Sequence, residues 1–353
     1  MQTLTELRAS FQEWNIDGLL ITGAQNRRYV TEFTGTFGVV LISNREAKLI
    51  TDFRYAEQAA AQVTGFEIVQ YKGSIQEEVA RQAEQMGISQ LGYEEAHLTC
   101  LGYRQYAEQV KAATVPTKGV VEALRLIKSE AEIKSIKTAA QIADNAFTHI
   151  LGFIRPGVTE REVSNELEFF MRKQGATSSA FDIIVASGVR GALPHGVASE
   201  KKIEQGEMVT LDFGALYQGY RSDITRTVAV GEPNEKLKGI YQIVLEALHR
   251  CTDGLKPGIT SREADSLARE WITQAGYGDR FEHGTGHGVG LDIHEDPFLS
   301  QKTDVLLQTG MVITVEPGIY LPQFGGVRIE DDVLITADGH EVLTQSAREL
   351  IIL

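Results

Sequence analysis

Gly206-Glu-Met-Val-Thr-Leu-Asp-Phe-Gly214 is answered farther along the chain by Gly310-Met-Val-Ile-Thr-Val-Glu-Pro-Gly318. Each stretch is an apolar run of strand length that carries an acid, Asp212 in one and Glu316 in the other. A second matched pair lies upstream: Arg155-Pro-Gly-Val-Thr-Glu-Arg-Glu162 and Lys256-Pro-Gly-Ile-Thr-Ser-Arg-Glu263. Each copy reads as a Pro-Gly turn, a capping box (Thr159 with Glu162, Thr260 with Glu263) and an amphipathic helix closing near Gly175 or Gly276. Helix followed by strand pair, met twice, predicts two related halves that fold face to face around a central cleft.

Strand alternation sets Val209, Leu211 and Phe213 on one face and Thr210 and Asp212 on the other. In Met311 to Glu316 it likewise separates Met311, Ile313 and Val315 from Thr314 and Glu316. An ionised carboxylate turned inward among such neighbours is costly unless it is paired or coordinates metal. After each first acid comes a loop and a second acid, Asp223 in Arg221-Ser-Asp-Ile-Thr-Arg-Thr227 and Glu330 in Gly326-Val-Arg-Ile-Glu-Asp-Asp332. Four carboxylates from two hairpins would then converge, and their mutual repulsion asks for divalent cations. His283-Gly-Thr-Gly-His-Gly-Val-Gly-Leu-Asp-Ile-His294 holds three of the eight histidines, among glycines that let backbone come close to a metal or substrate. Four carboxylates and one imidazole make a mostly hard site, which favours Mn²⁺ or a similar ion over a thiolate-type zinc site.

Working outward, 353 residues are too many for one ordinary core, so two domains are expected. The first ~120 residues alternate short β-like runs (Gly18 to Thr22, Gly38 to Ser43, Lys48 to Thr51) with helical stretches (Phe53 to Val63, Ile75 to Met86), as in an α/β domain. Asp52 and Arg54 read there as a strand-end cap and a solvated ion pair. A boundary falls near Pro116 to Ser129, dividing the chain into residues 1–122 and 123–353, and the capping box Ser129-Glu-Ala-Glu132 opens a long helix. The formal charge of -14 argues against general affinity for nucleic acid or anionic membranes. No apolar run reaches membrane-spanning length, the first residues lack a signal-peptide core, and Cys100 and Cys251 have no metal-type spacing. These features lead us to expect a cytoplasmic protein.

Other readings of the same residues fare worse. The glycines do not fall into the GxGxxG register of a dinucleotide loop. His294-Glu-Asp-Pro-Phe298 is not HExxH, and Ser187 lies outside a GxSxG elbow. A structural ion-pair network is disfavoured because Asp212 and Glu316 lack basic neighbours on their own strands.

Leu211-Asp-Phe-Gly214, Ser222-Asp-Ile-Thr-Arg-Thr227, His283-Gly-Thr-Gly-His287, Val315-Glu-Pro-Gly-Ile-Tyr320 and Val327-Arg-Ile-Glu-Asp331 occur in this order. With them, residues 130–353 resemble the pita-bread metallopeptidases, the family of methionine aminopeptidase, aminopeptidase P and prolidase. The N-terminal part resembles the creatinase-type domain that precedes the catalytic domain in aminopeptidase P and prolidase, which points to the proline-directed branch. The resemblance implies an α+β pita-bread domain with an internal pseudo-twofold, preceded by a smaller α/β domain. It implies two divalent ions, Mn²⁺ first and Co²⁺ or Zn²⁺ as alternatives, held by Asp212, Asp223, His287, Glu316 and Glu330, with Asp223 and Glu330 bridging. Glu316 would be general base, His195, His283 and His294 would line the substrate site, His294 or His195 would serve the oxyanion, and Arg328 and Tyr320 would support ligands or substrate.

The substrates so implied are proline-containing peptides, cleaved at the Xaa-Pro bond, and a homodimer is implied as well. Proline offers no amide N–H, so its pocket needs shape and apolar walls; Phe181, Phe298 and Phe324 are candidates. One departure bears on the substrate. Many prolidases carry an arginine between the His294 position and the VEPG strand, whereas Asp296-Pro-Phe-Leu-Ser-Gln-Lys-Thr303 offers only Lys302. Dipeptidase and aminopeptidase P activity thus stay equally open. An aminopeptidase of broader or methionine specificity, and a catalytically silent peptide-binding module, are the alternatives.

Overall fold

Ser129, Thr159 and Thr260 each cap a helix, accepting the N–H of the glutamate three residues on while that glutamate reaches back to the cap. The helices so begun are Glu130–Leu151, Glu160–Lys173 and Ser261–Gln274, and Gly175 and Gly276 follow the last two with φ of 105° and 85°. Both copies of the repeated helix therefore start and stop by the same devices, as expected from sequence.

The computed structural model describes residues 2–353, in two units that divide between Arg125 and Leu126. The first unit is a mixed six-stranded sheet ordered Glu67–Gln70, Ala47–Thr51, Val39–Ser43, Gly18–Ile21, Gln90–Glu94, Ala113–Thr117. Its central strands are buried on both faces, under helices that include Gln2–Trp14 and Ile75–Gln85. The helix expected from Phe53 instead starts with a 3₁₀ turn, Phe53–Tyr55, before Ala56–Gln62. Asp52 caps that turn and pairs with the exposed Arg54 at 2.6 Å.

The second unit has two cores matching the two halves of the repeat. In the first, helices Glu130–Leu151 and Glu160–Lys173 pack on the antiparallel strands Ile224–Ala229, Met208–Phe213 and Ile184–Ser187. In the second, helices Glu235–Gly254 and Ser261–Gln274 pack on a five-stranded sheet ordered Glu295–Leu299, Gly286–Gly288, Val312–Val315, Asp331–Thr336, Gly339–Val342. A two-stranded ribbon, Gly318–Leu321 with Gly325–Arg328, completes it. Strand Met208–Phe213 is buried at every position. Its polar face is covered too, because the other half lies against it: Thr225 accepts the Glu330 N–H through its carbonyl (3.0 Å), and the Thr227 hydroxyl donates to the Arg328 carbonyl (2.9 Å). Among the described residues, no helix is long and apolar enough to cross a membrane.

Candidate metal centre

The antiparallel ladders deliver the acids. Asp212 lies in strand Met208–Phe213 directly opposite Thr225, and Asp223 immediately precedes strand Ile224–Ala229. On the other side the ladder pairs Val315 with Asp331, so Glu316 and Glu330 are the next residues beyond that pair. Glu316 stands just outside its strand, which closes at Val315; Pro317, lacking an N–H, cannot extend the ladder. Backbone bonds fix each acid further. Asp223 N–H donates to Asp332 Oδ2 at 2.9 Å, and Glu316 N–H to the Thr285 carbonyl at 2.7 Å. His287 sits in the short strand Gly286–Gly288, its N–H donating to Thr314 Oγ1 at 3.0 Å. A Cβ on Gly286 would overlap the Thr314 carbonyl, so glycine is what lets this strand come so near.

The side chains converge. Ligand atoms of Asp223, His287 and Glu330 lie within 4.8 Å of one another, and His287 Nε2 is 3.5 Å from Glu316 Oε1. His287 Nδ1 is 3.0 Å from the Gly288 carbonyl, which can only accept; the proton is therefore on Nδ1 and the Nε2 lone pair faces the acids. Burial lowers the His287 pKa to about 4, keeping the ring neutral. Burial raises Glu330 and Asp223 well above the carboxylate range, and neighbouring carboxylates add to it: Glu316 and Asp212 for Glu330, and Glu330 and Asp212 first for Asp223. Glu316 is pushed up to about 8, chiefly by burial, with Arg328 opposing and Asp212 reinforcing.

Within this cluster, Asp212 Oδ1 and Asp223 Oδ1 are buried with no hydrogen-bond partner. Orphaned acceptors of this kind are costly unless something positive meets them. With a neutral imidazole lone pair and two further carboxylate ligand candidates, Glu316 and Glu330, around them, the donor set fits hard divalent cations. A second group with suitable spacing, Glu94, His97 and Glu122 in the first unit, is different. Glu94 accepts from the N–H groups of Thr22 and Gly23 (2.6 and 2.7 Å), and Asn26 donates to both Glu94 and Glu122 at 2.6 Å. Those carboxylates serve a hydrogen-bond network.

Most of the remaining residues singled out from sequence border one cavity of about 920 Å³, lined by His195, His283, His294, Tyr320 and Arg328 as well as Asp212, Asp223, His287, Glu316 and Glu330. His195 and His294 are exposed to it. His283 is placed differently from a free substrate contact, since both of its nitrogens are engaged: Nδ1 donates to the Gly284 carbonyl (2.8 Å) and Nε2 accepts from Tyr320 O–H (2.9 Å). Tyr320 in turn accepts from Arg328 Nη1 at 2.9 Å, while Arg328 Nη2 holds Asp212 Oδ2 at 2.5 Å and Nε meets Thr225 Oγ1 at 3.1 Å. Phe181 and Phe298 line the cavity with Ile184, Pro194, Val197 and Ile293. Phe324 lies outside it, its ring carrying Lys236 at 5.1 Å. Lys302 is exposed and does not line the cavity.

Sequence reasoning passed over Thr225, whose hydroxyl donates to Glu330 Oε2 at 2.6 Å, although it stands in the quoted Ser222-Asp-Ile-Thr225 motif. It also missed Asp182, Asp279, Arg280 and Glu282 around the cavity, for which no local pattern exists.

Comparison with known proteins finds one family model for each part of the chain. Residues 134–337 match metallopeptidase family M24, and residues 4–127 match the creatinase/prolidase N-terminal domain. An uncharacterized peptidase of Bacillus subtilis (strain 168), YqhT, is 55% identical over 99% of both chains. The solved structure of an Xaa-Pro dipeptidase from Bacillus anthracis is 62% identical with a TM-score of 0.99, covering 100% of this chain and 99% of that one. That of an X-Pro aminopeptidase from Thermotoga maritima MSB8 is 39% identical with a TM-score of 0.91, covering 98% of this chain and 100% of that one. Pita-bread architecture, paired halves and acid-lined cleft thus meet in one assignment: the chain belongs to metallopeptidase family M24 and carries the creatinase/prolidase N-terminal domain.

Proposed function

We propose that this protein is an exopeptidase that uses two divalent metal ions to hydrolyse the Xaa-Pro bond of dipeptides or of peptide N-termini. The observation that carries the reading is the pair of buried, partnerless oxygens on Asp212 and Asp223, set among His287, Glu316 and Glu330. These five residues would hold the ions, Mn²⁺ first among them. Bound there, such ions would supply Lewis acidity, lowering the pKa of a bound water and polarising the scissile carbonyl.

The protein's own groups then have distinct tasks. Glu316, largely buried at the cavity wall, takes the proton from the attacking water and passes it to the proline nitrogen as the bond breaks. That nitrogen must gain a proton to leave as an amine, so cleavage requires proton delivery to it. His195 and His294, exposed to the cavity, donate to the oxygen on which negative charge develops. Arg328 holds Asp212 in place, and Phe181 and Phe298 give the prolyl ring apolar walls without demanding an N–H.

Similarity to an Xaa-Pro dipeptidase at 62% identity supports the Xaa-Pro bond as target. One observation keeps the aminopeptidase reading beside it: residues 296–303 bring no cation to the cavity to receive a dipeptide carboxylate. A hydrolysis panel of Xaa-Pro, Xaa-Pro-Yaa and Met-Yaa-Zaa, each with Mn²⁺ and with chelator, tests both. Chelator-sensitive cleavage of the proline-containing peptides is expected. Cleavage of none of them would end the peptidase reading, and preference for Met-Yaa-Zaa would end the proline-directed one.

A further inference from the structure

Each Thr-capped helix of the repeat carries a fully buried carboxylate outside the ligand set: Glu160 in Glu160–Lys173 and Asp265 in Ser261–Gln274. Counted from the caps Thr159 and Thr260, they are not copies of each other, since Asp265 corresponds to Ser164 and Glu160 to Ser261. Yet each braces a loop that carries a cavity histidine or more: His283 and His287 for Asp265, His195 for Glu160.

Asp265 receives Arg269 through two bonds, Nε to Oδ2 at 2.6 Å and Nη2 to Oδ1 at 2.7 Å. The same guanidinium donates to the carbonyls of Phe281 (2.8 Å) and His283 (2.7 Å), gripping the backbone on the near side of the glycine-rich loop. Asp265 Oδ1 also accepts the N–H and hydroxyl of the buried Thr285 at 3.1 and 2.7 Å, and Gln301 donates to Oδ2 at 2.7 Å. The peptide thus fixed presents the Thr285 carbonyl to the N–H of Glu316. One carboxylate therefore braces the backbone at His283, through Arg269, and at Thr285, two residues before His287 and bonded to the Glu316 N–H.

Glu160 does the corresponding job around His195. Oε1 accepts the N–H and hydroxyl of Ser187 at 2.8 and 2.9 Å, and Oε2 accepts those of Ser199 at 3.1 and 2.6 Å. Arg190 reaches Oε2 at 2.9 Å and the Val197 carbonyl at 2.7 Å. Both ends of the segment bearing His195 are tied to one buried acid.

We propose that Asp265 and Glu160 are positioning residues with separate charges, Asp265 setting the His287–Glu316 side of the metal centre and Glu160 setting His195 on the substrate side. The inference rests on the metal-centre reading above. Groups that orient ligands are worth roughly 10- to 100-fold in metal affinity or activity, so the two variants should leave different signatures.

The test is calorimetric titration of Mn²⁺ into the metal-free full-length protein, with circular dichroism and steady-state kinetics at saturating Mn²⁺. Asp265→Asn should weaken Mn²⁺ binding by about 10-fold or more and lower kcat, with KM within about twofold. Glu160→Gln should keep Mn²⁺ affinity within about twofold and raise KM by about 10-fold. Thr285→Val removes one hydroxyl bond and leaves Asp265 in place; it should shift Mn²⁺ affinity in the Asp265→Asn direction by about threefold, and it carries the test should Asp265→Asn not fold. Equal weakening of Mn²⁺ binding by the Asp265 and Glu160 variants would overturn the proposal, as would unchanged affinity in Thr285→Val. A parent protein that binds Mn²⁺ but cleaves no Xaa-Pro peptide would fail the peptidase reading instead, leaving the titrations to decide this one.

Discussion

Arg328 Nη2 lies 2.5 Å from Asp212 Oδ2, while Oδ1 of the same carboxylate is buried with no partner. The arginine thus takes one edge of the acid and leaves the other for a cation. Burial works against the Arg328 charge, but Tyr320 and the acids Asp212, Glu316 and Glu330 outweigh it and hold its pKa above the usual arginine value.

Arg328→Lys should therefore be far from conservative. A lysine cannot serve Asp212, Tyr320 and Thr225 together, because its ammonium is a single point rather than a planar fork. Activity should fall by about 10- to 100-fold with a loss of metal affinity. A variant with parental kinetics and Mn²⁺ titration would show that the fork is dispensable.

Asp223→Asn should nearly abolish turnover, by about 100-fold or more, while the fold survives. Removing one charge from a group of buried, mutually repelling acids should also raise the melting temperature of the chelated protein at pH 8. Undiminished turnover would remove Asp223 from the proposed ligands.

The same repulsion fixes a pH dependence. Glu316 titrates near 8 in the folded chain, against 4.5 ordinarily, and Asp223 and Glu330 are raised as well. A carboxyl raised by folding binds its proton more tightly when folded; its contribution is full below the ordinary value and lost as pH climbs through the folded one. The chelated protein should lose stability between about pH 4.5 and 8, the range Glu316 sets. Added Mn²⁺, which needs the ionised acids, should protect progressively more across that range. Melting curves at pH 5, 6.5 and 8 with chelator and with Mn²⁺ would read this, and a chelated protein that gains stability toward pH 8 would contradict it.

Thr260→Ala removes the cap of helix Ser261–Gln274 and should cost about 1 kcal/mol of stability, as should Thr159→Ala at the matching position. Urea unfolding of the two variants would check that the repeat is equivalent in energy as well as in shape; a several-fold difference between them would deny it.

Much of the architecture was legible because its signals are local. The capping boxes need only a Thr or Ser and a glutamate three residues on, and all three form as read. The acids Asp212 and Glu316 stood out because a charged residue interrupts an apolar run whatever the strand packs against. The acid at 265 gives the same kind of sign, falling on the helix stripe of Ala264, Ala268 and Ile272, but its meaning lies in a loop twenty residues away.

Sequence by itself thus determined the repeat, the starts of the capped helices and which acids must find a counter-charge. Tertiary structure alone decided how those acids are shared out: which oxygens Arg328 and Thr225 occupy, and which remain open on Asp212 and Asp223. It also decided that His283 spends its second nitrogen on Tyr320, and that Lys302 points elsewhere than the cavity. The reason is one of range. Propensity and periodicity act over a few neighbouring residues, whereas a hydrogen bond such as Arg328 to Asp212 spans the join between two halves and exists only once both have folded.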